Sequence, residues 1–149
     1  IFPAHTDFST NLSSLDGIIM MTGITKMINN ITSTIEVVKG SHITYKEENI
    51  NLASKLISEK NIEASQIIEH IKINDNKYNF DIVNLEIGDL LIFSEFLIHK
   101  TSKLTNNLRI SISIRIDNHE EETFIERDYP NVYNRIINRN VKKPYLKKV

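Results

Sequence analysis

The chain has 149 residues, 40% hydrophobic and 25% charged, the composition of one globular domain long enough to bury a sizeable core. Its net charge of −1 provides no global field to attract nucleic acid or an anionic membrane, and no apolar run reaches the length of a membrane span. With no cysteine there are no disulfides and no thiolate metal sites, which fits a reducing cytoplasm.

The opening Ile1-Phe2-Pro3-Ala4-His5-Thr6-Asp7 lacks the basic start and long apolar stretch of a signal peptide. It also lacks an initiator Met and carries candidate ligands from position five, so a further segment upstream is expected. From Leu15 to Met27, the block Gly17-Ile18-Ile19-Met20-Met21 predicts a buried strand, punctuated by Asn29-Asn30. Thr32 to Val38 is rich in β-branched residues and predicts the next strand, closed by Gly40-Ser41. Between Lys46 and Lys60, the residues Ile50, Ala53, Leu56 and Ile57 fall at helical spacing and predict a surface helix. Ile62 to Ile73 fits a helix through Ile67, Ile68 and Ile71, and a strand through Ile71 and Ile73.

Phe80 to Leu85 predicts a strand, Gly88-Asp89 a turn, and Leu90 to Phe96 a strongly apolar strand that leads to His99. After a turn at Asn106-Asn107, Leu108 to Asp117 alternates. Ile110, Ile112, Ile114 and Ile116 share one face, and Arg109, Ser111, Ser113 and Arg115 share the other. Past Asp117 come the charged stretch His119-Glu120-Glu121-Glu122 and a basic tail with Arg139, Lys142, Lys143, Lys147 and Lys148. Many short strands with at least one helix point to a β-sandwich or jelly-roll barrel with helical decoration.

Three residues form the main chemical candidate. His5 and Asp7 are two positions apart and point the same way on extended backbone; His99 can join them from a neighbouring strand. Two histidines and one carboxylate on one face leave coordination positions open, a set suited to non-haem Fe(II) that activates oxygen. The bland alternative is a polar strand end and a packed histidine. Arg109 offers a planar fork matched to a carboxylate, Ser111 adds a hydroxyl on the same face, and Thr101 shares the face of His99 if the strand continues. That polar face equally suits plain solvation. His42 fits a turn beside the site, and His70 and His119 fit the surface. No serine nucleophile arrangement and no glycine-rich phosphate loop is present.

Four blocks together resemble the phytanoyl-CoA dioxygenase family of Fe(II)/2-oxoglutarate oxygenases. They are Pro3-Ala4-His5-Thr6-Asp7, Ile35-Glu36-Val37-Val38-Lys39-Gly40-Ser41-His42, Gly88-Asp89-Leu90-Leu91-Ile92-Phe93 leading to His99, and Arg109-Ile110-Ser111-Ile112-Ser113. Their order matches from residue 1 to about 117, so the resemblance implies one domain over 1–149: an oxygenase core over about 1–117 and a C-terminal extension over 118–149. The implied fold is mainly β, a double-stranded β-helix (a cupin-like jelly roll) with one or two flanking helices. The chain departs from the family in lacking its N-terminal part, in having no tryptophan, and in carrying Lys39 where proline is common.

By the resemblance, His5, Asp7 and His99 hold Fe(II), and Arg109 binds the distal carboxylate of 2-oxoglutarate with Ser111 and Thr101 as helpers. A small-molecule substrate is hydroxylated with O2 while 2-oxoglutarate becomes succinate and CO2. No nucleic-acid or membrane partner is implied. Asp7 argues against a halogenase, in which a small residue replaces the carboxylate. A non-catalytic cupin-like binding protein, or an inactive fragment, is the contrasting reading. If the N-terminal part is missing, an exposed edge or apolar patch and self-association are expected.

Overall fold

A computed structural model describes residues 3–8, 14–51 and 75–126. The expected helix past residue 51, the ambiguous 62–73 stretch, His70 and the basic tail all lie outside the described residues. Among those described, the chain is mainly β, with two three-stranded antiparallel sheets. The strands are β1 (Ile18–Gly23), β2 (Ile35–Val37), β3 (Asp81–Val83), β4 (Leu90–Ser94), β5 (His99–Thr101) and β6 (Ser111–Ile116). One sheet has the order β4-β1-β6 and the other β3-β2-β5. Short helices α1 (Ser41–Thr44) and α2 (Glu122–Glu126) flank them. No described helix is long and apolar enough to cross a membrane.

The elements follow local chemistry. The Asn29-Asn30 turn places Asn30 at φ 62°, a left-handed conformation that asparagine tolerates better than most residues. Gly88 takes φ 95° in the turn before β4, where the Asp89 carboxylate accepts the Glu86 N–H at 2.8 Å. Leu90 to Phe96 was expected as one strand. It stops at Ser94, whose hydroxyl accepts the Phe96 N–H at 3.2 Å, while the Leu97 N–H turns back to the Ser94 carbonyl. His99 therefore lies on a separate strand in the other sheet.

The sheets meet through Ile19 and Phe93 on one side and Ile35 and Val37 on the other, with Leu97 completing the cluster. Register fixes which side of each strand faces inward. Ile19 is fully buried and sits opposite Phe93 on β4 and Arg115 on β6. The arginine–serine face of β6 thus turns toward the core side, beside solvent. Ile112, Ile114 and Ile116 take the opposite face together with Ile18, Met20, Leu90 and Ile92.

The isoleucines of that outer face and Leu90 are exposed. Ile92, Met20 and Ile114 form one cross-strand row, with Ile92 at 55% and Ile114 at 54% exposure. This is the kind of contiguous apolar patch that promotes association. Ile114→Lys should change unfolding free energy by no more than about 0.5 kcal/mol, as a surface substitution does, and should reduce self-association. Ile19→Ala, one row away on the buried face, should cost about 2–5 kcal/mol. Urea unfolding and sedimentation velocity measure the two effects, and a large loss of stability in Ile114→Lys would mean that face is packed.

Candidate metal centre

His5 extends the β3-β2-β5 sheet by one bridge. Its N–H donates to the His99 carbonyl and the His99 N–H donates back, both at 3.0 Å. In an antiparallel pair, this reciprocal bonding sets the two side chains opposite each other on one face. The ring centroids are 4.3 Å apart. Val37 and Ile35, buried on β2, pair with His99 and Thr101, so both of those residues face the core side.

Asp7 reaches the histidines by a different route from the one the spacing predicted. The backbone is extended at His5 but helical at residues 7–8. Phe8 drives this turn: its ring is fully buried and stacks on Phe96 at 4.3 Å, and its N–H donates to the Glu95 carbonyl at 3.0 Å. The turn brings Asp7 Oδ1 to 3.7 Å from His5 Nε2 and Asp7 Oδ2 to 3.9 Å from His99 Nε2. One ligand atom from each residue lies within 4.8 Å of the others, so the group could hold a metal ion. Both contacts exceed hydrogen-bond length. They match the roughly 3–4 Å separation of ligands that each sit about 2.0–2.2 Å from one small ion.

The tautomers suit that use. His5 Nδ1 lies 2.8 Å from the Pro3 carbonyl and His99 Nδ1 lies 2.9 Å from the Leu97 carbonyl. A carbonyl only accepts, so each Nδ1 carries a proton, and Nε2 is the ring nitrogen that each histidine turns toward Asp7. Backbone contacts of this type orient metal-binding imidazoles. Burial, joined by the charge of His5, pushes the His99 pKa from 6.5 down to about 4 against the pull of Asp7 and the Leu97 carbonyl. His99 is neutral at pH 7. For Asp7, burial is the largest single influence and acts upward. His5, His99 and Arg115 together outweigh it and hold the carboxyl below its ordinary value, so it is ionised.

The surrounding motifs support this trio. The Phe93 ring meets His99 edge-on at 5.2 Å. Ser41, from the Gly40-Ser41-His42 block, accepts the Ile98 N–H at 2.9 Å and so anchors the start of β5. His42 itself is half-buried in α1, outside the trio, and His119 is exposed.

Arg109 is half-buried, and its Nη1 donates to the Thr34 carbonyl at 3.3 Å, across on the other sheet. It has no ion pair among the described residues. Thr34 precedes β2, three residues or roughly 10 Å along that strand from Val37, the partner of His99. Thr101 and Ser111 are half-buried, and no side-chain hydrogen bond joins either to the trio among the described residues.

Sequence reasoning missed Arg115. Its Nη2 lies 3.3 Å from Asp7 Oδ1, although the two residues are 108 positions apart. The available signal was its place on the same strand face as Arg109. Comparison with protein-family models, curated proteins and solved structures finds no match for this chain.

The buried neutral His99 has a consequence for stability. In the metal-free protein, the unfolded state binds its proton near pH 6.5 and the folded state only near 4. Stability contributed by the neutral ring is complete above pH 6.5 and falls as pH drops through about 4, by on the order of 3 kcal/mol at 1.4 kcal/mol per unit. Chemical denaturation between pH 7 and 4 should show this decline, and His99→Gln should flatten it. An equal slope in both proteins would remove His99 as its source.

Proposed function

We propose that the protein is an Fe(II)/2-oxoglutarate-dependent dioxygenase that hydroxylates a small organic molecule, on a jelly roll of the phytanoyl-CoA dioxygenase type. The convergence of His5, Asp7 and His99, with both Nε2 atoms turned toward an ionised carboxylate, carries this reading. The donor set favours a first-row metal with open positions, and two histidines with one carboxylate is the set used by non-haem Fe(II) oxygenases. The strand order supports the barrel. The chain crosses between the sheets at every connection except β2–β3, with β1, β4 and β6 in one sheet and β2, β3 and β5 in the other, which is compatible with a jelly roll.

His5, Asp7 and His99 would hold the iron, which with 2-oxoglutarate supplies oxygen activation and oxidative decarboxylation to succinate. Arg109 would take the distal carboxylate: a half-buried guanidinium whose partner is a neutral carbonyl keeps charge and donors for an anion. Asp7 retains the carboxylate of a hydroxylase. A cytoplasmic setting fits the cysteine-free sequence.

Iron-dependent conversion of 2-oxoglutarate to succinate tests the reading. Metal uptake without turnover in the presence of 2-oxoglutarate and O2 would point instead to a non-catalytic cupin-like binder. Arg109→Ala should weaken 2-oxoglutarate binding at least about 30-fold while leaving metal uptake intact, because losing one partner of a buried charge pair costs about 2–5 kcal/mol. Unchanged cosubstrate affinity in calorimetry would exclude Arg109 from the role. Asp7→Ala should lose hydroxylation through its incomplete ligand set. Full hydroxylation by that variant in chloride-free buffer would show that the carboxylate is dispensable.

A further inference from the structure

We propose that Ser102 is a positioning residue that sets the direction of the Arg109 guanidinium through the Thr34 backbone, so that anion binding at Arg109 depends on a buried serine. The inference rests on the reading of Arg109 as a carboxylate receptor. Arg109 precedes β6, which begins at Ser111, and its guanidinium is tied across to the other sheet by the Thr34 carbonyl at 3.3 Å. Where that carbonyl points therefore sets where the guanidinium sits. The carbonyl has two lone pairs. The Ser102 N–H donates to it at 3.0 Å, and Arg109 takes the remaining acceptor position.

Thr34 and Ser102 stand one step beyond the β2–β5 ladder, which ends with Ile35 opposite Thr101. An ordinary antiparallel pair at this step exchanges two backbone bonds. Here the Thr34 N–H donates to the Ser102 hydroxyl oxygen at 2.7 Å, and the Ser33 hydroxyl lies 3.5 Å from the Ser102 carbonyl. The Thr34 hydroxyl donates to the Val83 carbonyl on β3, so every polar group of Thr34 is held. Ser33 sits at φ 69°, a left-handed conformation strained for a residue with a side chain. Such strain persists where the surroundings over-determine it, and it collects at functional sites. Ser33, Thr34 and Ser102 are all buried, at 3% exposure or less. A plain ladder pair would join the two strands without a buried hydroxyl or a left-handed serine. The Ser102 hydroxyl fixes the peptide before Thr34, and the Ser102 N–H fixes the one after it, which carries the carbonyl. Removing the hydroxyl leaves the buried Thr34 N–H without its partner, and a turn about Thr34 to find another swings the carbonyl away from Arg109.

Zn(II)-loaded protein titrated with 2-oxoglutarate in a calorimeter reads the anion site without turnover, because zinc does no redox chemistry. Ser102→Ala should take up Zn(II) like the wild type yet bind 2-oxoglutarate about 5- to 10-fold more weakly, the scale of one hydrogen bond. The loss should vanish in an Arg109→Ala background, since a residue that acts through Arg109 then has nothing left to position. A general loosening of the fold would weaken both backgrounds alike. Ser102→Cys keeps the volume with a weaker acceptor. It should show a smaller loss of the same kind, and it carries the test if the alanine variant fails to fold. Wild-type affinity in whichever variant folds, or an equal loss in the Arg109→Ala background, would overturn the role of Ser102 while leaving Arg109 as the receptor. Failure of the zinc-loaded wild type to bind 2-oxoglutarate, or unchanged affinity in Arg109→Ala, would overturn the receptor reading and this inference with it.

Discussion

The antiparallel pairing of His5 with His99 is the constraint on which the site depends. Because strand side chains alternate, a slip of one residue would send the His5 imidazole to the other face and bring Thr6 in its place. The register is held on both sides. The two strands exchange N–H···O bonds at 3.0 Å, and the β2–β5 ladder puts His99 opposite the buried Val37. Register therefore sets chemistry as well as position. It buries the imidazole, that burial keeps it neutral, and neutrality leaves its Nε2 able to bind a metal.

The opposite wall is β6, an edge strand of the other sheet among the described residues, and it works through two arginines. Near its start Arg109 crosses to the Thr34 carbonyl, and near its end Arg115 reaches Asp7. The same Thr34 carbonyl also accepts the Ser102 N–H at 3.0 Å, so Arg109 rests on a backbone already fixed within the sheet. A strand with arginines and serines on its core side adds little apolar burial. The common core is built instead from Ile19, Phe93, Ile35, Val37 and Leu97. Natural folds relax the apolar-inside rule mainly where a site requires it.

Legibility from sequence follows from this arrangement. Strands with short apolar or alternating runs were readable, as were the turns at Asn29-Asn30 and Gly88-Asp89, because period and turn chemistry are local signals. The site residues were readable as types, since His-x-Asp and a later histidine are a recognisable donor set. Their route together was not. The helical turn at Asp7 depends on Phe8 finding Phe96, a contact between distant segments. Alternation over Leu108 to Asp117 separated two faces but could not orient them, and hydrophobicity alone would have turned the isoleucines inward. Arg115 was hidden for the same reason: its partner lies 108 residues away, so nothing local marks it.

The trio joins two segments near opposite ends of the described chain, and this ties metal binding to folding. In the unfolded state His99 is remote from His5 and Asp7, so the three cannot chelate one ion there. Any ion they hold binds the folded state preferentially, and its binding free energy adds to fold stability. The effect should be greatest where the sheet is thinnest. Residue 5 joins the sheet by a single bridge, anchored further by Phe8 on Phe96 and by the buried Ala4. Without an ion, that bridge and those apolar contacts, with the Phe8 N–H bond to the Glu95 carbonyl and the Arg115 contact to Asp7, help to hold the His5–Asp7 segment in place. With one, two of the three ligands would tie this segment directly to His99, making the least-paired part of the sheet the part that gains most from the metal.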